Sequence, residues 1–231
     1  MRTRSSVAAS WRIAITALAV GQGPPTVRAQ ELHVDQGASR VARFGSRTQL
    51  DAFEGVTEKI DGYVLLRGGP LSTTAGDDDA EMYFEVDLAS LTTGIGLRDR
   101  HMRDDYLEVK KYPYASFRGR IVHAESRADG GAQVAAAGTF TVHGVSVDRE
   151  IACDVVPIGE GYEAKCAFEV RLADHGIQIP RIMFLKVAAE VHVDVAFTVS
   201  PPESPPRESL GTRTLRPARV VVKEPIPTRE A

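Results

Sequence analysis

"KVAAEVHVDVAFTV" (Lys186–Val199) sets Val187, Ala189, Val191, Val193, Val195, Phe197 and Val199 against Ala188, Glu190, His192, Asp194, Ala196 and Thr198. Successive side chains of a strand point to opposite faces, so this run is a strand with one apolar face and one wet face. Such a strand belongs in an antiparallel sheet with its apolar side on a core. The same period of two runs through "EMYFEVDL" (Glu81–Leu88), where Met82, Phe84, Val86 and Leu88 share a face. Weaker examples are "RVARFGSR" (Arg40–Arg47), "TEKIDGYVLLRG" (Thr57–Gly68), "SFRGRIVHAE" (Ser116–Glu125) and "QVAAAGTFTVHG" (Gln133–Gly144). Two further runs, "VDREIACDVV" and "YEAKCAFEVRL", are joined by "PIGEG". Turn signals such as "AGDDD", "RADGG", "HGVS" and "IGEG" separate the runs.

About eight antiparallel strands with one apolar face resolve into a sandwich or a closed barrel. A barrel removes the exposed edges that invite aggregation. The expectation is therefore an all-β, eight-stranded antiparallel barrel with a short flanking helix. The inward positions mix large residues with Gly62, Gly119, Ala136, Gly138, Ala164 and Ala189. A barrel of this size is just wide enough for packed side chains or one small ligand, and the small inward residues favour a cavity.

The chain of 231 residues has a formal net charge of -3. That balance leaves no basic footprint for nucleic acid. Residues 1–29 differ from the rest. Arg2, Arg4 and Arg12 precede a short apolar core, Ile13–Val20, and small residues follow up to Ala29. This is the layout of a secretory signal peptide cut after Ala29. It predicts a periplasmic or secreted protein, a barrel domain over 30–199, and a Pro- and Arg-rich disordered tail over 200–231. An exported chain can hold disulfides. Cys153 and Cys166 are equidistant from the centre of their hairpin and share the apolar face. Opposed strand residues come close enough for a bridge; a pair of buried free thiols is the alternative.

"RDRHMRDDYLEVKKYPYASFRGR" (Arg98–Arg120) begins as a helix that Asp99 can cap. Met102, Tyr106 and Val109 form one apolar stripe. Lys110 and Lys111 suit the negative end of the helix dipole, and Pro113 stops the helix. His101 and Asp105 are spaced to face one ion, but two ligands make no metal site. No nucleophile elbow, phosphate loop or dinucleotide fingerprint is present, so the reading calls for no cofactor.

The order of these segments resembles the YceI-like family. "LTTGIGLRDRHMRDDYLEVKKYPYASFRG" is similar to its signature through Thr93, Gly94, Arg98, Asp99, His101, Arg103, Val109, Lys111, Tyr112, Pro113 and Phe117. Gly138, Thr139, Phe140, Thr141, His143, Gly144 and Val145 match a second motif. Phe168, Asp174, Gly176 and Ile177 match a third, and Phe53 with Gly55 fits an early turn. The resemblance spans about Glu31 to Ser200. Met102 stands where the pattern has leucine, and the cysteines and tail lie outside it.

The resemblance implies a lipocalin-like barrel that binds a polyisoprenoid lipid or an isoprenoid quinone without catalysis. The expected lining is Phe84, Val86, Met102, Tyr106, Phe117, Phe140, Phe168, Val191 and Val193; each also serves as ordinary core. Arg98 and Arg103 are the candidates for a headgroup. Transient membrane contact and a homodimer are left open. Two other classes stand beside this one: an enzyme using His101, His143 or Asp174, and a cell-envelope interaction module acting through its tail or outer face.

Overall fold

The computed structural model describes residues 29–47, 52–67, 71, 80–178, 181–182 and 185–202. Residues 1–28 of the expected signal peptide, most of the expected tail (203–231) and the turn expected at Asp77–Asp79 lie outside them. Twelve strands follow in chain order: β1 (Gln30–Val34), β2 (Val41–Arg47), β3 (Ala52–Thr57), β4 (Ile60–Leu66), β5 (Ala80–Asp87), β6 (Tyr114–Ser126), β7 (Ala132–Val142), β8 (Val145–Ile158), β9 (Gly161–Arg171), β10 (Arg181–Ile182), β11 (Leu185–Lys186) and β12 (Glu190–Ser200). The two-residue strands β10 and β11 pair only with each other.

The remaining strands close an eight-staved antiparallel barrel. β4 to β9 pair in sequence, apart from the helical insertion between β5 and β6, and β9 pairs with β12. β12 closes the ring against two strands at once: His192 to Ala196 lie beside β2, and Val199 and Ser200 beside β1. β1 and β2 are therefore one stave broken at residues 35–40. The next stave is β3 and β4, paired to β2 and β1 respectively. The Asp35 carboxylate shapes the first break by accepting from the amides of Gly37 and Ala38, at 2.8 and 3.2 Å. β1 is a short strand that the period-two reading missed. The "turn" at Phe53 and Gly55 is strand β3, with Gly55 opposite Phe44.

The apolar face of β12 points inward as expected, but the strand begins at Glu190. Ala189 is exposed in a bend, because its carbonyl accepts from Leu172 and the preceding Ala188 amide donates to Arg47. Three buried clusters run along the barrel. Leu32, Leu66, Phe197 and Val199 fill one end, Met82, Phe117, Ala136 and Ile151 the waist, and Leu88, Leu91, Val109, Val142, Leu172 and Ile177 the other end.

The helix sits over that last end, and it starts earlier than the sequence suggested. α1 spans Gly96–His101 and continues as a π-helical turn, Met102–Tyr106, closed by the Leu107 amide on the Met102 carbonyl at 2.9 Å. Asp99 is inside α1 and does not cap it; Ile95 holds that position. The carboxylate turns back instead to the preceding loop, where it accepts from the Thr92 hydroxyl at 2.7 Å, the Thr93 amide at 2.7 Å and the Thr93 hydroxyl. The stripe of Met102, Tyr106 and Val109 packs into the cluster below.

Candidate functional site

The barrel encloses a cavity of about 790 Å³, towards the upper end of the roughly 300–1,000 Å³ of ligand pockets. Its wall draws on all three buried clusters, from Leu32 and Val199 at one end to Leu97 and Arg98 at the other. The cavity thus runs the length of the barrel. Val191, Val193 and Val195 face inward yet are only half-buried, because part of each side chain borders the lumen.

Glycine keeps this space open. An added Cβ on Gly55 would lie 2.1 Å from the ring of its cross-strand neighbour Phe44. Phe84 occupies the corresponding place over Gly62, and Phe117 over Gly119. The three rings are folded onto the backbone of the wall where side chains are missing. Small residues and large aromatics together therefore give a hollow tube, in the way the sequence hinted through Gly62 and Gly119.

All nine residues named as candidate lining border the cavity: Phe84, Val86, Met102, Tyr106, Phe117, Phe140, Phe168, Val191 and Val193. Sequence reading missed the contributions of Leu32, Phe44, Ser46, Phe53 and Val64. Phe44 and Ser46 share the inward period of "RVARFGSR", so the signal was there; β1 is too short to have carried one.

The two headgroup candidates separate. Arg98 borders the cavity. Its guanidinium carbon lies 4.5 Å over the Phe53 ring, while Nε and one terminal nitrogen donate to the Thr93 hydroxyl and carbonyl at 2.8 and 3.1 Å. Arg103 is not part of the wall. It donates to the Ala89 carbonyl at 2.9 Å and the Asp99 carbonyl at 3.2 Å, tying the helix to the turn after β5. Among the described residues no aspartate or glutamate borders the cavity.

The residues considered for catalysis do not converge. His101 lies at the rim and pairs with Asp105 at 2.6 Å. His143 occupies the β7–β8 turn, with Nδ1 on the His175 carbonyl and Nε2 on Glu108, at 3.2 and 3.3 Å. Asp174 is exposed. Among the described residues no three His, Cys, Asp or Glu side chains gather as a metal site, and no helix is long and apolar enough to cross a membrane.

One part of the wall is sewn by side chains. β8 and β9 share register only from Cys153 and Cys166 to Ile158 and Gly161. Cys153 and Cys166 are joined as a disulfide at the rung where the strands part, and both sulfur residues border the cavity. Below that rung Arg149, on the inward face of β8, reaches across and donates to the Glu169 carbonyl at 2.9 Å. Its guanidinium carbon lies 5.2 Å from the centre of the Phe168 ring and 5.4 Å from that of Phe140. Burial lowers its pKa, and the charge of Asp174 opposes that shift. Further down, His175, 1% exposed, bonds the Val145 carbonyl at 3.0 Å.

The family model of the YceI-like domain matches residues 32–199. Two solved structures share the fold. The crystal structure of BcnA from Burkholderia cenocepacia aligns with a TM-score of 0.56 and 16% identity, over 69% of this chain and 95% of that one. A polyisoprenoid binding domain from Saccharophagus degradans, implicated in plant cell wall breakdown, aligns with a TM-score of 0.56 and 17% identity, over 76% of this chain and 100% of that one. No curated protein matches.

Proposed function

Because the chain belongs to the YceI-like family, we propose that it is an exported, non-catalytic protein that holds a polyisoprenoid or an isoprenoid quinone in its barrel, for carriage or storage. The observation behind this reading is the elongated apolar cavity of about 790 Å³. Each buried methylene contributes ~0.8 kcal/mol, so a few isoprene units supply ample drive, partly offset by ordering the chain. A wall of this kind grades ligands by tail length. The Saccharophagus degradans domain, described as polyisoprenoid binding, has the same fold.

The signal-like residues 1–29 and the Cys153–Cys166 bridge fit an oxidising compartment, the periplasm or the outside of the cell. Ile95 and Leu97, 53% and 61% exposed, stand at the rim beside Arg98. Two apolar side chains next to a cation suit brief contact with a membrane surface during loading.

Native mass spectrometry of the mature chain from an exporting host, followed by solvent extraction, tests the reading. The expected result is a long-chain isoprenoid or quinone at near one per chain. A stable, empty barrel that takes up no added isoprenoid would overturn it.

A further inference from the structure

Ser46 is a polar group that no other atom of the protein answers. It lies on the inward face of β2, two residues beyond Phe44 and directly opposite Phe53 of β3. It borders the cavity and is 8% exposed, and its Oγ, shut off from solvent, has no hydrogen-bond partner. Buried hydroxyls are nearly always paired, and one left unpaired weakens the fold. Among the described residues the other unpartnered buried side-chain atoms, Nε of Arg40 and of Arg149, belong to side chains whose terminal nitrogens are engaged; Ser46 has no second polar side-chain atom to use. Arg98 meets the same corner, since its guanidinium lies over the ring of Phe53. Two donors thus share one end of an apolar tube that no described carboxylate borders.

We propose that Ser46 and Arg98 form the head site of the cavity and so fix the direction in which a lipid lies. An oxygen acceptor on the head, a quinone carbonyl or a phosphate oxygen, receives the Ser46 hydroxyl after a turn about χ1 between staggered wells. It rests beside the Arg98 guanidinium, and the tail runs towards Leu32 and Val199. Gly45, next to Ser46, pairs with His192, and the seven residues from there to Val199 span about 23 Å of β12, the room the tail has. This inference rests on the lipid-binding reading.

Calorimetric titration of the delipidated mature chain tests it with three probes on one geranylgeranyl tail: a naphthoquinone, a phosphate and the bare hydrocarbon. The expected result is that one of the headed probes binds tighter than the hydrocarbon. Ser46→Ala then weakens that probe by roughly three- to ten-fold, leaves the hydrocarbon unchanged and raises the melting temperature of the empty barrel. Arg98→Gln identifies the head, because a charged acceptor loses more than a carbonyl does. If Ser46→Ala changes nothing, or weakens the hydrocarbon equally, the head site is wrong and the lipid cavity stands. If none of the probes binds the wild type, both fall.

Discussion

Cys153 and Cys166 face each other at the rung where β8 and β9 stop sharing hydrogen bonds. Towards the hairpin turn the strands are zipped; away from it β8 pairs only with β7 and β9 only with β12. The bridge therefore sets how far the parting can run towards the turn. It closes a loop of 13 residues in sequence separation, and a loop of that size contributes about 3 kcal/mol in the chain-entropy account. The double variant Cys153→Ala/Cys166→Ala should lose about 2–3 kcal/mol in denaturant unfolding. Hydrogen exchange should rise first at the β8–β9 amides nearest the rung. Equal protection in both proteins would mean that the bridge holds nothing the hairpin does not hold alone.

Arg149 replaces the missing ladder below that rung. Its bond to the Glu169 carbonyl answers an acceptor that β8 leaves free, and its planar group covers Phe140 and Phe168. Arg149→Ala should cost about 1–3 kcal/mol, from an orphaned carbonyl and lost cation–π contacts. Lysine keeps the charge but not the planar fork, so Arg149→Lys should recover less than half of the loss. Full rescue by lysine would reduce the role of Arg149 to its charge.

Arg149 also shows where sequence reading stopped. The period of two placed β5, β7, β8, β9 and β12, and with them the inward residues, because each strand is long and has one apolar face. An arginine on that face breaks the pattern, and only the fold reveals the parted strands that it spans. Asp99 misled for a different reason. A carboxylate near a helix start is an N-cap on local grounds, yet its partners here are the two threonines of the loop before the helix. Arg98 and Arg103 looked alike in sequence. What separates them is a π turn and a carbonyl on Ala89, contacts that no spacing predicts.

Gly55 tests whether the lumen depends on rings lying flat. A methyl group there overlaps the Phe44 ring, so Gly55→Ala must push the ring off the wall and into the cavity. The expected result is a stability loss of about 1–3 kcal/mol for the forced repacking. Apolar probes should bind more weakly, the longest tails losing most. Pairing Gly55→Ala with Phe44→Leu should restore binding by making room. If the double variant binds no better than Gly55→Ala, the flat ring is not what keeps the tube open.

Asp99 links the signature stretch to pH. It is 4% exposed. Burial, the largest influence, raises its pKa, but the hydroxyls of Thr93 and Thr92, the Thr93 amide and the charge of Arg103 together hold it below the ordinary 3.8. A depressed folded-state pKa stabilises the protein above the unfolded value, and that contribution is lost as pH falls through the lower folded value. Acid unfolding of the wild type should therefore include loss of the Thr92–Thr93 turn below pH 3.8. Asp99→Ala should lose about 2–3 kcal/mol at neutral pH, since three donors lose a charged acceptor. Its stability should also fall less steeply on acidification than that of the wild type. Arg98 is held by Thr93, so the variant should bind headed isoprenoids more weakly while keeping its affinity for the bare hydrocarbon. Parallel acid curves for the two proteins would show that Asp99 is not the titrating group, and an unchanged headed-probe affinity would show that the turn does not position Arg98.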